Sequence, residues 1–492
     1  MAEQSLGITT INPIKFGTDG WRGLIAADFT FDRLVFVAPL AAQVLKETYG
    51  PTTGSNTIIV GYDRRFLSEE FALTTAKTIQ NCGFDVLLSE CFAPTPAFSW
   101  AAKSMNALGA FVITASHNPG GYSGFKIKGA FGGSVPSDVT AKVEALIANP
   151  PAKADDRRSV VDHQTPGKLE MFNPWTSYCA GLRELVDVEA IVSAIQSEKI
   201  KVFVDVMNGS ASTGLTQLLG IDVPEIRSER DPLFGGGAPE PLPKYLHELL
   251  TTIPATQSNG VKVGLVFDGD CDRIAAADNQ GNFLSSQILI PILIEHLSQR
   301  KGYSGEVVKT VSGSGLIEKT AAFYKLPIFE TPIGYKYIAD RMLATKALLG
   351  GEESGGIGYG HHIPERDALL AALYVLEIVV KTRMDLSDLH RSIQEKTGFD
   401  SEYDRIDLPL SSMAVRDALL ASLQNDPIQT VADKAVVSTQ TDDGYKFRLE
   451  DESWLLVRFS GTEPVLRLYC EAATLEQVHS TLAWAKDWAN SV

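Results

Sequence analysis

The chain has 492 residues, 44% hydrophobic and 21% charged, enough for several cores, since single cores stop growing near about 250 residues. Its 44 basic and 60 acidic residues give a net charge of −16, which argues against a nucleic-acid partner, because a phosphate backbone requires clustered lysine and arginine. Five scattered cysteines form no disulfide framework, no basic-then-apolar leader opens the sequence, and no apolar window reaches the ~20 residues that span a bilayer. The expectation is a cytoplasmic protein with no membrane attachment and no inferable protein partner. An anionic small molecule suits this charge balance only if cations gather locally in a cleft.

Along the chain, a glycine-rich loop at 17–23 (GTDGWRG) carries Arg22. The β-branched runs 57–63, 109–114, 201–206 and 262–267 predict buried strands, and their near-continuous hydrophobicity suits sheets covered on both faces. Helical periodicity follows at 69–82, 139–148, 210–219 and 285–299, and the apolar run 369–380 predicts a core helix. Strand and helix alternate, so the class is α/β. The polar stretch 149–166 reads as a linker, a second change falls at 279–282, and a third at 398–412 precedes strand-like runs at 435–439 and 454–458.

Two loops carry chemistry at strand ends. The strand at 109–114 runs into Ala115-Ser116-His117-Asn118-Pro119-Gly120-Gly121, where the turn residues hold the Ser116 hydroxyl outward, and Lys126 follows ten residues on. The strand at 262–267 runs into Asp268-Gly269-Asp270-Cys271-Asp272-Arg273. Carboxylates at i, i+2 and i+4 share one side of an extended loop and repel unless a cation sits among them. Hard oxygen donors favour Mg2+ or Mn2+, and Cys271 is read as packing rather than a ligand. These residue types leave two readings open: phosphoryl transfer through Ser116, or through Asp268 as the nucleophile of an aspartate-dependent phosphatase.

Farther along, Gly351-Glu352-Glu353-Ser354-Gly355-Gly356 places Glu352 and Ser354 two apart, able to bind vicinal sugar hydroxyls. The loop Arg458-Phe459-Ser460-Gly461-Thr462-Glu463-Pro464 combines a guanidinium fork, hydroxyls and free amides, the makings of a phosphate cradle, and Arg467 adds charge nearby.

In this order GTDGWRG (17–23), TASHNPGGYSGFK (114–126), FGGGAPEP (234–241), DGDCDR (268–273), GEESGG (351–356) and RFSGTEP (458–464) resemble the α-D-phosphohexomutase family (phosphoglucomutase/phosphomannomutase) from end to end. The resemblance implies three similar α/β domains with mixed sheets and a smaller C-terminal α+β domain around a central cleft, at 1–162, 163–282, 283–397 and 398–492. It implies an intramolecular phosphotransferase that interconverts hexose 1- and 6-phosphates through phosphorylated Ser116. It also implies Asp268, Asp270 and Asp272 as Mg2+ ligands completed by the serine phosphate, with Lys126 moving protons and Arg22 and His117 assisting. Glu352, Ser354 and Lys336 would meet the sugar, and Arg458, Ser460, Gly461 and Thr462 its unreacting phosphate; Arg273, in the DGDCDR motif, joins the substrate contacts. Glucose 1,6-bisphosphate would serve as intermediate and activator, and sugar phosphates as the small-molecule partners. The Gly355-Gly356 ending, where mannose and glucosamine branches commonly have Gly-His, favours glucose over mannose. Two alternatives stand beside this: a glucose 1,6-bisphosphate synthase fed by a bisphosphate donor, and a non-catalytic sugar-phosphate sensor.

Overall fold

The computed structural model describes residues 12–17, 19–150, 165–460 and 464–491, so the centre of the expected linker and the boundary at 162 lie outside the described residues. Two compact units emerge: Met1–Phe283 with Gly356–Arg383, and Leu284–Gly355 with Met384–Val492.

The first unit contains two α/β layers. In one, six strands lie in the order Trp21–Leu24, Tyr122–Gly129, Gly109–Ile113, Thr57–Tyr62, Asp85–Ser89 and Leu169–Phe172. The inner strands pair in parallel, while Tyr122–Gly129 runs antiparallel to both its neighbours. Every residue of Gly109–Ile113 is buried, the pattern expected of a parallel strand covered on both faces. Helices Phe31–Thr53, Ser68–Asn81 and Ser137–Ala148 supply the facing side chains of this core, including Leu34, Val37, Phe71, Ile79 and Val143.

In the second layer Val261–Phe267 pairs in parallel with Ile200–Asp205 and antiparallel with Ile274–Ala277. The helix expected at 210–219 begins only at Gly214. Both the amide and the hydroxyl of Ser210 donate to Gly269 O, at 2.9 and 3.1 Å, which commits this stretch to bracing the aspartate loop. Helix Ala368–Thr382, the expected core helix, buries twelve of its fifteen residues, and Asp367 caps its start by accepting the Leu370 amide. With strand Ile357–Tyr359 it groups with the first unit.

In the second unit Glu306–Thr310 pairs in parallel with Ile328–Thr331 and Ala347–Gly351. The C-terminal sheet is antiparallel, in the order Glu402–Pro409, Val465–Ala472, Trp454–Phe459, Tyr445–Leu449, Lys434–Gln440 and Thr430–Val431. Strand alternation divides its side chains between two faces. Leu455, Val457, Leu466, Leu468 and Cys470 join Leu419, Val478 and Leu482 in a core under helices Met413–Asn425 and Leu475–Asn490. On the opposite face Trp454, Leu456 and Tyr469 pack with Val311.

That second face is also pinned by two buried charges. Glu471 accepts from Trp454 Nε1 at 2.6 Å, the Gly315 amide at 2.7 Å and the Ser314 and Ser401 hydroxyls. Lys446 donates to Val311 O at 2.6 Å and lies over the Trp454 ring.

All five cysteines are free thiols. Among the described residues no helix is long and apolar enough to cross a membrane.

Candidate active site

Ser116 lies just past the end of strand Gly109–Ile113, 1% exposed, with its backbone in the left-handed region at φ 53°. A non-glycine residue there carries strain, and the surroundings hold it in place. The Ser116 amide donates to Thr114 Oγ1 at 2.9 Å. Arg65, fully buried, spreads its guanidinium across the loop: Nη2 donates to Ser116 O at 2.5 Å and Asn118 O at 2.6 Å, and Nη1 to Pro119 O at 3.0 Å and Tyr122 O at 3.1 Å. Its Nε is held by Asp63 Oδ2 at 3.1 Å, and its flat face lies over the Phe234 ring. The Ser116 hydroxyl then donates to Asp268 Oδ2 at 3.1 Å, with His117 Nδ1 3.4 Å away.

The three loop aspartates are completely buried, and one ligand atom from each lies within 4.8 Å of the others. Asp268 Oδ1 accepts the amides of Asp272 and Arg273 at 3.0 and 3.1 Å, which fixes the turn. A Cβ at Gly269 would come within 2.4 Å of Ser116 O, so only glycine lets the serine and aspartate loops approach this closely. Thr95 Oγ1 donates to Asp270 Oδ2 at 2.5 Å. Lys126 Nζ makes ion pairs of 2.6, 2.8 and 2.9 Å with Asp19, Asp270 and Asp272. Burial alone would depress Lys126, but these carboxylates outweigh it and hold the ammonium well above its ordinary range. Burial and the neighbouring charges of Asp272 and Asp270 push Asp268 well above the usual carboxylate range.

The residues fit a divalent cation. Asp270 Oδ1 and Asp272 Oδ1 are buried oxygens without a hydrogen-bond partner, and the donor set is all carboxylate, the hard oxygen chemistry of Mg2+. Cys271, buried among them with its thiol pushed well up by burial, is no such donor.

Around this centre, Arg22 Nη1 donates to Asn118 Oδ1 at 2.6 Å, and Arg273 lies 3.7 Å from Glu240. His117 is held well below its ordinary value, first by burial and then by Arg273 and Arg22, so its imidazole is neutral at pH 7. Ser116, His117, Arg22, Lys126, Arg273 and the three aspartates, expected from three separate motifs, therefore belong to one constellation.

The remaining expected residues lie in the second unit. Strand Ala347–Gly351 delivers Glu352, which is buried and whose backbone carbonyl accepts from Ser286 Oγ at 2.7 Å. Glu353 accepts from Ser312 Oγ at 2.6 Å, and the Gly355 amide donates to Glu352 O at 3.3 Å, so Glu353 and Ser354 are the central residues of a turn rather than part of the extended loop expected from the sequence. Lys336 occupies the first turn of helix Tyr335–Ala344. Arg458, near the end of strand Trp454–Phe459, pairs through Nε with Asp443 Oδ1 at 2.9 Å. Ser460 follows it, and Gly461 and Thr462 lie outside the described residues.

Several members of the first constellation gave no separate signal in the sequence. Arg65 reads locally as one of two arginines after a strand. Asp19, inside GTDGWRG, gathers Lys126, Lys128 at 3.0 Å and Arg366. Arg366 also pairs with Asp272 at 2.8 Å, and Lys128 with Glu365 at 2.6 Å. The motif containing Asp19 was visible; Glu365 and Arg366 carry no local pattern that points to it.

Comparison with known proteins covers nearly the whole chain. Family models for phosphoglucomutase/phosphomannomutase α/β/α domains I, II and III match residues 13–153, 176–281 and 285–397, and the C-terminal domain model matches 418–483. A "Phosphoglucomutase/phosphomannomutase" of Thermococcus kodakarensis is 28% identical over 95% of this chain and 96% of its own. A "Phosphoglucosamine mutase" of Thermotoga sp. (strain RQ2) is 29% identical over 94% and 96%. A crystal structure from Thermus thermophilus, of a protein assigned as a phosphomannomutase, superposes with a TM-score of 0.82 at 30% identity, covering 98% of this chain and 100% of that one. The chain belongs to the phosphoglucomutase/phosphomannomutase family of phosphohexomutases, enzymes that transfer a phosphoryl group within a sugar phosphate.

Proposed function

We propose that this phosphohexomutase interconverts hexose 1-phosphate and hexose 6-phosphate, with glucose favoured and mannose second, through phosphorylated Ser116 and a hexose 1,6-bisphosphate. The observation that carries the proposal is the Ser116 hydroxyl 3.1 Å from Asp268, in a buried triad whose Asp270 and Asp272 each keep one uncommitted oxygen. Asp268, Asp270 and Asp272 would hold Mg2+ together with a serine phosphate oxygen, and the ion would supply charge neutralisation for phosphoryl transfer.

In the forward half-reaction the bond between Ser116 Oγ and phosphorus breaks as the free hydroxyl of the hexose monophosphate bonds to phosphorus. As that bond breaks Ser116 Oγ takes up a proton, which the Lys126 ammonium is assigned to supply, and the hydroxyl proton of the hexose leaves to a basic group of the site, with the neutral His117 imidazole beside the serine able to accept it. Arg22, fixed by Asn118, and Arg273 contribute positive charge. The bisphosphate turns over, and its other phosphate returns to Ser116. Glu352 and Ser354 are assigned to sugar hydroxyls, Lys336 to a further substrate contact, and Arg458, Ser460, Gly461 and Thr462 to the phosphate that is not transferred. Because that loop meets either end of the sugar, a general cradle of guanidinium, hydroxyls and amides suits it. These roles are distributed over four domains ending near 162, 282, 397 and 492.

Amino-sugar phosphates form a second reading, favoured by relatives named phosphoglucosamine mutases. Phosphorus-31 NMR of the protein with Mg2+, glucose 1-phosphate and a trace of glucose 1,6-bisphosphate tests the proposal. Growth of glucose 6-phosphate supports it. Conversion of glucosamine phosphate alone would move the assignment to the second reading, and accumulation of bisphosphate from a bisphosphate donor would mark a synthase.

A further inference from the structure

Asp443 sits in the turn between strands Lys434–Gln440 and Tyr445–Leu449, outside every motif of the site. One carboxylate serves two partners: Oδ1 accepts from Arg458 Nε at 2.9 Å, and Oδ2 accepts the backbone amide of Ile333 at 2.7 Å. Ile333 lies just ahead of helix Tyr335–Ala344, whose first turn carries Lys336. Between them Gly334 adopts φ 130°, a conformation open to glycine, so the path from the Ile333 amide to Lys336 is a short, defined turn. The Asp443 and Arg458 side chains are 20% and 24% exposed, sheltered enough for a charge-assisted bond to fix geometry.

From this double contact we infer that Asp443 is a positioning residue for substrate phosphate: it fixes the plane of the Arg458 guanidinium through Nε, so that the Nη edge meets the phosphate, and it ties that arginine to the loop bearing Lys336. An arginine on a strand end has several rotamers, and holding one of them before substrate arrives lowers the ordering cost of binding. The carboxylate also offsets part of the guanidinium charge, which suits a site that must release the phosphate it grips. The inference rests on the assignment of Arg458 to phosphate binding.

The test is a double-mutant cycle on KM for hexose 1-phosphate and hexose 6-phosphate, with thermal midpoints recorded for every variant. Asp443→Ala raises KM for both substrates by about tenfold and changes kcat by less than about threefold, the mark of lost uniform binding. Adding Asp443→Ala to Arg458→Ala produces no further rise, because the two act as one unit. Asp443→Asn keeps an acceptor for the Ile333 amide and recovers part of the lost affinity. Unchanged KM in Asp443→Ala, or effects that add to those of Arg458→Ala, would overturn the inference while leaving the phosphate cradle intact. Unchanged KM in Arg458→Ala would instead remove the cradle, and Asp443's role with it. If Asp443→Ala unfolds, the cycle is run with Asp443→Asn, where additivity with Arg458→Ala overturns the inference in the same way.

Discussion

Arg65→Lys isolates the device that holds the serine loop. Arg65 donates to four carbonyls, those of Ser116, Asn118, Pro119 and Tyr122, and its Nε is paired with Asp63. Lysine keeps the charge but has three donors on one atom, so it cannot span a loop whose carbonyls approach a planar fork from two sides. If two charge-assisted bonds to carbonyls are lost, the stability cost is about 3–6 kcal/mol at about 1.5–3 kcal/mol each, reduced by whatever water reaches the loop. The catalytic effect comes through geometry. Ser116 sits at φ 53°, a strained position, and a nucleophile displaced by about 1 Å loses roughly 100-fold in rate. The expected phenotype is a kcat lower by about 100-fold, equivalent to about 2.7 kcal/mol of barrier, with KM nearly unchanged. Steady-state kinetics and single-turnover loss of label from phosphorylated enzyme measure it, and urea unfolding reports stability separately. A folded Arg65→Lys enzyme with wild-type kcat would refute the claim that this guanidinium sets the serine's position.

Other consequences can be read directly. Mg2+ should raise the thermal midpoint of the protein, and Asp270→Asn should abolish that rise along with activity; a rise that survives the substitution places the ion elsewhere. Glu471→Ala strands the Trp454 indole, the Gly315 amide and two hydroxyls, and should destabilise the second unit by about 4 kcal/mol in denaturant unfolding; a loss within experimental error refutes the pin. Lys446 is lowered to about 7 by burial and by Lys309 and Arg448, against the attraction of Glu330 and Glu318. Since an unfolded lysine titrates near about 10.4, the unfolded chain binds more protons between these values, and stability climbs with pH from about 7 to about 10. Lys446→Met should flatten that climb in unfolding curves, and an unchanged pH slope would contradict the shift.

What the sequence made legible was local. Strands such as Gly109–Ile113 and Val261–Phe267 declare themselves because burial on both faces leaves an unbroken apolar run, and each leads directly into a loop whose residue types announce chemistry. The burial of Cys271 among the aspartates followed from the mismatch between a thiol and a hard cation. Contacts that close over long stretches of chain left no such trace. Arg366 meets Asp19 across 347 residues, and nothing around Pro364-Glu365-Arg366 distinguishes it from a surface turn. The helix expected from 210 failed in its first turn because Ser210 is used by Gly269 O, a tertiary demand that local propensity does not contain. The grouping of helix Ala368–Thr382 with the first unit likewise depends on which partners cover its apolar sides, information absent from periodicity.

The most direct test of the central claim is to incubate the protein and Mg2+ with phosphorus-32-labelled hexose 1,6-bisphosphate, then locate the label by peptide mass spectrometry. The account predicts one acid-stable phosphate on Ser116, chased off by hexose monophosphate and absent from Ser116→Ala, which should also be inactive. A hydroxylamine-labile acyl phosphate on Asp268, or full transfer activity in Ser116→Ala, would contradict it.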